Sequence, residues 1–114
     1  MKKVLFSLFI LTTSFSFGQE STNSVLFAQC YFNISDRAEM LSIEAEMKNH
    51  ANAKMVRLDF ETQRAFILTK NLNTLSKEEI SSWFGEYGSS INCVQIGVYG
   101  VDPMEKYPFT NCED

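Results

Sequence analysis

Residues 54–69, KMVRLDFETQRAFILT, alternate in period two, pause, and alternate again. In the first run Val56, Leu58 and Phe60 share one face, while Arg57, Asp59 and Glu61 share the other. Successive side chains of a strand point to opposite sides of the sheet, so this pattern requires a strand with one buried face. Thr62 and Gln63 break the pattern, and residues 65–69 (AFILT) resume it. The segment therefore reads as a β-hairpin, with a turn that contains no glycine.

The same period appears upstream. In residues 25–34 (VLFAQCYFNI), Leu26, Ala28, Cys30, Phe32 and Ile34 fall on one face, and Phe27, Gln29, Tyr31 and Asn33 fall on the other. Between this strand and the hairpin the period changes. Met40, Ile43 and Met47 recur at helical spacing with Leu41 beside them, and Glu44 and Lys48 form a supporting pair one turn apart. That is an amphipathic helix ending near Asn49 and His50.

A second helix follows the hairpin. Ser76 and Glu79 have the spacing of a capping box, with Leu75 and Ile80 at the staple positions. Ile80, Trp83, Phe84 and Tyr87 form its apolar face, and Gly88 suits the left-handed residue that ends a helix. Residues 93–101 (CVQIGVYGV) make a last strand with Val94, Ile96 and Val98 inward. The order is strand, helix, strand, strand, helix, strand. It predicts an α+β, ferredoxin-like sandwich: a four-stranded antiparallel sheet with both helices on one face. Right-handed crossovers put the first and third strands in the centre.

Residues 52–68, NAKMVRLDFETQRAFIL, resemble the second and third strands of heavy-metal-associated domains. That family carries a valine-alternating strand, an Asp-Leu-Glu-Thr-like turn and an Ala-x-Val strand. Asp59, Phe60, Glu61, Thr62, Ala65 and Ile67 stand at those features. Residues 75–88, LSKEEISSWFGEYG, are similar to the family's second helix. The resemblance implies the ferredoxin-like fold and a metal loop at the mouth of the first helix. The family's Met-x-Cys-x-x-Cys motif falls here on Ile34, Asp36 and Glu39, so both thiolates are replaced by carboxylates. Soft Cu(I) selects sulfur ligands and carboxylate favours hard ions, so the family's soft-metal chemistry does not transfer.

Three readings of Asp36 and Glu39 follow, one of them a contact with a partner. Placed before an apolar periodic run, they form a capping box favoured by the helix dipole. Alternatively they supply a two-carboxylate site for a hard cation, a small ligand set for Ca²⁺. The capping reading takes precedence. Cys30 stands six residues before Asp36, about 20 Å along an extended strand. His50 stands eleven residues after Glu39, about 16 Å along a helix. Neither joins the carboxylates on one ion without a large bend. Residues 94–100 (VQIGVYG) are similar to the phosphate loop of acylphosphatases, but lie in the wrong strand and lack its arginine.

The first 18 residues have a different character. Lys2 and Lys3 precede the apolar residues 4–11, and small residues Ser16 and Gly18 stand before Gln19. This is the layout of a secretory signal, too short in its apolar run to span a bilayer at about 20 residues. The expected organisation is a leader (1–18), a polar lead (19–24), a ferredoxin-like domain (25–101) and a tail (102–114). Export to the periplasm or beyond places three cysteines in an oxidising compartment, where pairing is expected. Cys30 faces inward and Cys93 faces outward on its strand. Cys112 lies on a tail able to fold back, so Cys93–Cys112 is the expected bridge, with Cys30 left as a thiol.

The sequence carries 10 basic and 14 acidic residues, a net charge of −4 that becomes −6 when Lys2 and Lys3 leave with the leader. Such a chain is a poor partner for nucleic acid, and nothing after the leader predicts stable membrane insertion. The expected function is that of an exported, non-enzymatic module resembling a heavy-metal-associated domain without its soft-metal site. It would act by contact with another protein and need no cofactor. The alternative is a periplasmic metal-binding or metal-handling protein using an ion of unknown identity. The expected partner surfaces are the sheet face away from the helices, bearing Phe27, Gln29, Tyr31, Arg57 and Tyr99, and the sheet edges.

Overall fold

In a computed structural model, the structure describes residues 24–110 and residue 112. The proposed leader, nearly all of the polar lead and three residues of the tail lie outside the described residues. The elements are β1 (Leu26–Tyr31), α1 (Arg37–Lys48), β2 (Ala53–Asp59), β3 (Arg64–Thr69), α2 (Lys77–Trp83), a 3-10 helix (Gly85–Ser90) and β4 (Asn92–Val98). The sheet order is β2-β3-β1-β4, with every neighbouring pair antiparallel. Strands one and three are central, so the ferredoxin-like fold expected from the sequence is the fold found.

The core lies between one sheet face and the helices. Ala28 and Cys30 come from β1, Phe32 follows it, and Val56, Leu58, Ala65 and Ile67 come from β2 and β3. All pack with Met40 and Met47 of α1 and with Ile80 and Phe84 of the α2 segment. Leu41, expected beside the apolar stripe of α1, is instead 51% exposed. Ile43 is half-buried, which narrows the stripe to the residues at i, i+3 and i+7.

The ends of α2 show what local sequence dictates. The Ser76 hydroxyl accepts from the Glu79 N–H at 3.1 Å, and the Glu79 carboxylate accepts from the Ser76 N–H at 2.9 Å. Two orphan donors are thereby satisfied, as the capping box requires. The far end differs from the expectation at Gly88. The left-handed residue is Gly85, at φ +61°, directly after the C-cap Phe84. Gly88 is buried in the 3-10 helix, where an added Cβ would lie 2.2 Å from the Ser81 carbonyl oxygen. The Ser81 hydroxyl donates to the Gly88 carbonyl at 2.8 Å and holds that approach.

The two glycines should therefore respond differently to alanine. Gly85→Ala meets open space and should cost about 1–2 kcal/mol, the left-handed backbone penalty of an L-residue. Gly88→Ala must push backbone apart and should cost about 3 kcal/mol, the upper end for overpacking. Urea denaturation of both variants checks the order, and an equal loss would place the tight approach elsewhere.

Candidate functional site

The mouth of α1 is built as a joint between three segments. Asp36 is the N-cap, and its carboxylate accepts from the Ala38 N–H at 3.0 Å. The expected capping box does not form, because Asp36 bonds the second helical N–H and not that of Glu39. Glu39 instead takes the hydroxyl hydrogen bond of Tyr87, from the 3-10 helix 48 positions away. That bond pushes the Tyr87 hydroxyl up to about 12. Gln63, in the hairpin turn at φ +56°, completes the joint. Its side-chain oxygen accepts from the Ile34 N–H at 2.7 Å, and its amide donates to the Phe60 carbonyl at 2.9 Å. Its own carbonyl accepts from the Phe32 N–H at 2.9 Å.

The three positions aligned with the family's metal motif are thus all in structural use. Ile34 is buried at 1% exposure with its N–H bound, Asp36 caps a helix, and Glu39 ties α1 to the 3-10 helix. This donor set does not fit a soft metal. Cys30 and His50 do not supplement it. Burial pushes the Cys30 thiol up to about 12, the wrong direction for a thiolate ligand. The His50 ring stacks on Trp83 with centroids 4.1 Å apart, and its Nδ1 accepts from the Asn52 N–H at 3.1 Å. Among the described residues, no group of three His, Cys, Asp or Glu side chains is placed to hold an ion.

The sheet face away from the helices differs most from the sequence reading. Expected as open, its β1–β4 half is covered by the tail. Phe27, a proposed contact residue, is fully buried. Its ring lies where a side chain on the paired residue Gly97 would have to sit, with Asp102 closing over the same spot. Tyr31, a second proposed contact residue, is half-buried and packs on Phe109 at a centroid distance of 4.9 Å. Its hydroxyl accepts from the Phe109 N–H at 2.9 Å. Gln29 is buried beneath the tail, donating to the Gln95 side chain at 2.6 Å and to the Glu105 carbonyl at 2.9 Å. The physical reason is hydrophobic: leaving a phenylalanine in water forfeits about 1.5–3 kcal/mol. A disulfide joins Cys93 to Cys112 and fixes the end of the covering segment.

What remains open is the β2–β3 half of this face. Arg57 and Tyr99, the other two proposed contact residues, line a groove there of about 850 Å³ between β2, β3 and the tail. Phe66 forms part of its floor, while Tyr107, 45% exposed, and Met104, 42% exposed, form its tail-side wall. The Arg64 guanidinium lies over the Tyr107 ring, 4.8 Å from its centroid. The residues that sequence reasoning missed are those of the tail. Their signal was the apolar character of both β1 faces, which calls for two coverings.

No protein-family model matches the sequence, and no curated protein does. Among solved structures, the chain is similar to the apo form of the HMA domain of the copper chaperone for superoxide dismutase. The identity is 15%, covering 82% of this chain and 84% of that one, with a TM-score of 0.49. At the loop mouth, Asp36→Ala should cost about 1 kcal/mol, the usual loss of an N-cap. Gln63→Ala should cost about 2 kcal/mol, because it orphans the part-buried Ile34 N–H. Denaturation with and without chelator should give the same losses. Losses that vanish on chelation would make this loop a metal site.

Proposed function

We propose that this chain is a small exported, non-enzymatic module that works by protein–protein contact through the open half of its sheet. The observation that carries this reading is the groove between β2, β3 and the tail, in which Tyr99 is 49% exposed beside Arg57 and Phe66. Exposed aromatic and arginine side chains are the residues most enriched at contact surfaces. The polar groups at the loop mouth already serve the fold, as caps and ties, and this favours contact over metal handling as the role of the domain. Export is supported by the leader pattern and by the Cys93–Cys112 disulfide, since such bonds persist in oxidising compartments.

Site-specific photo-crosslinking in the producing cells tests the proposal. A benzophenone residue replacing Tyr99 should give a discrete protein adduct. The same residue replacing Leu41, equally exposed on α1, should give none. Adducts of equal yield at both positions, or at neither, would remove the groove as the contact surface.

A further inference from the structure

We infer that the groove on the β2–β3 half of the sheet binds an acidic peptide segment carrying an aromatic residue. The inference rests on the contact function proposed above and specifies the chemistry of its partner. It starts from an imbalance of charge. Arg57, Arg64 and Lys106 line the groove together with Asp59 and Glu105. The two carboxylates are committed to local structure. Asp59 accepts from the Thr62 N–H at 3.0 Å and from the Thr62 hydroxyl, bonds that hold its carboxyl below the usual range. Glu105 accepts from the Thr110 N–H at 2.8 Å and the Thr110 hydroxyl at 2.7 Å. Of the cations, Arg64 is held over the Tyr107 ring and opposite Asp59, whereas Arg57 and Lys106 line the groove at exposed positions. The ion pairs among the described residues are Arg37–Glu61 and Lys48–Glu44, so none of the groove cations is in one.

Geometry arranges these charges around an apolar floor. Arg57 pairs with Phe66 across β2 and β3, and Asp59 pairs with Arg64 one repeat further on. Arg57 and Arg64 therefore stand diagonally on one face about 7–8 Å apart, with the Phe66 ring beside them. Lys106 faces them from the tail, and Tyr99 and Tyr107 supply apolar walls. Spacing of two cations over an aromatic floor suits an extended chain that alternates carboxylates with an apolar side chain.

The occupant lies on the face and not along the edge. Although β2 is an edge strand, the Leu58 N–H that an added strand would need is taken by the Glu44 carboxylate at 2.9 Å. A single-stranded nucleic acid would also meet cations and aromatic rings. The chain's net charge of −4 opposes a polyanion that extends beyond the groove, whereas a short peptide stays within it.

Fluorescence anisotropy tests this with the chain as purified from producing cells, its Cys93–Cys112 bridge intact. The probes are labelled DDEFEDD, the neutral NNQFQNN, the ring-free DDEAEDD and a dT heptamer. DDEFEDD should bind best, and raising salt should weaken it, because screening shortens to about 10 Å at 0.1 M. Arg57→Glu and Lys106→Glu, both at exposed positions, should each weaken it about tenfold, the factor that 1.4 kcal/mol of lost attraction gives. Equal binding of NNQFQNN or of the dT heptamer overturns the inference, as does indifference to both reversals. If the Tyr99 crosslink stands while DDEFEDD fails to bind, the inference falls and the contact function survives. If the crosslink is absent too, both fall.

Discussion

Everything outside the helix-facing core depends on one feature of β1: it is apolar on both faces. Leu26, Ala28 and Cys30 alternate with Phe27, Gln29 and Tyr31, and the strand sits in the centre of the sheet. The helices can cover only one side. A central strand with a buried phenylalanine on its second side needs a third layer, and in this chain the tail provides it. Gln29 and Gln95 then become an interior polar pair. They are satisfied because the tail backbone at Glu105 donates to one and accepts from the other, at 2.8 and 2.9 Å. An amide left unpaired there would cost about 1–3 kcal/mol, so the tail's path is fixed by polar as well as apolar demands.

That third layer also decides where a surface is left. By covering β1 and β4, the tail leaves β2 and β3 uncovered and turns its own side chains into a wall. The groove is a product of two elements distant in sequence, the hairpin and the tail, and the Cys93–Cys112 bridge pins the tail to β4 beside them. Beside the hairpin turn, the polar groups of the loop before α1 are drawn into the fold in the same way. Gln63 binds both flanks of the loop, and Arg37 lies 4.7 Å over the Phe60 ring beside it. Carboxylates that could have met an ion are anchored to the N–H of Ala38 and the hydroxyl of Tyr87.

The sequence made legible whatever depends on local periodicity and local capping. Alternation through Val56, Leu58, Ala65 and Ile67 gave the hairpin, Ser76 and Glu79 gave a helix start, and the element order gave the topology. The facing of Cys93 against Val94 and Ile96 pointed away from Cys30 and toward the tail. Periodicity states which face a side chain is on, but not what covers that face, so Phe27 and Tyr31 were read as open surface. Glu39 bonding to Tyr87 was equally hidden, because a pair 48 positions apart leaves no mark on spacing. At the end of α2 two glycines competed, and only the backbone angle and the Ser81 approach separate the roles of Gly85 and Gly88.

The tail is thus a layer of the fold. Nuclear Overhauser spectroscopy of the oxidised protein tests it directly at Tyr31 and Phe109, whose rings lie 4.9 Å apart at centroid, 78 positions apart in sequence. Strong ring-to-ring cross-peaks between them are expected, with slow exchange of the Phe109 amide, which donates to the Tyr31 hydroxyl. Absence of those cross-peaks with the Cys93–Cys112 bridge intact, together with fast exchange at Phe109, would contradict it.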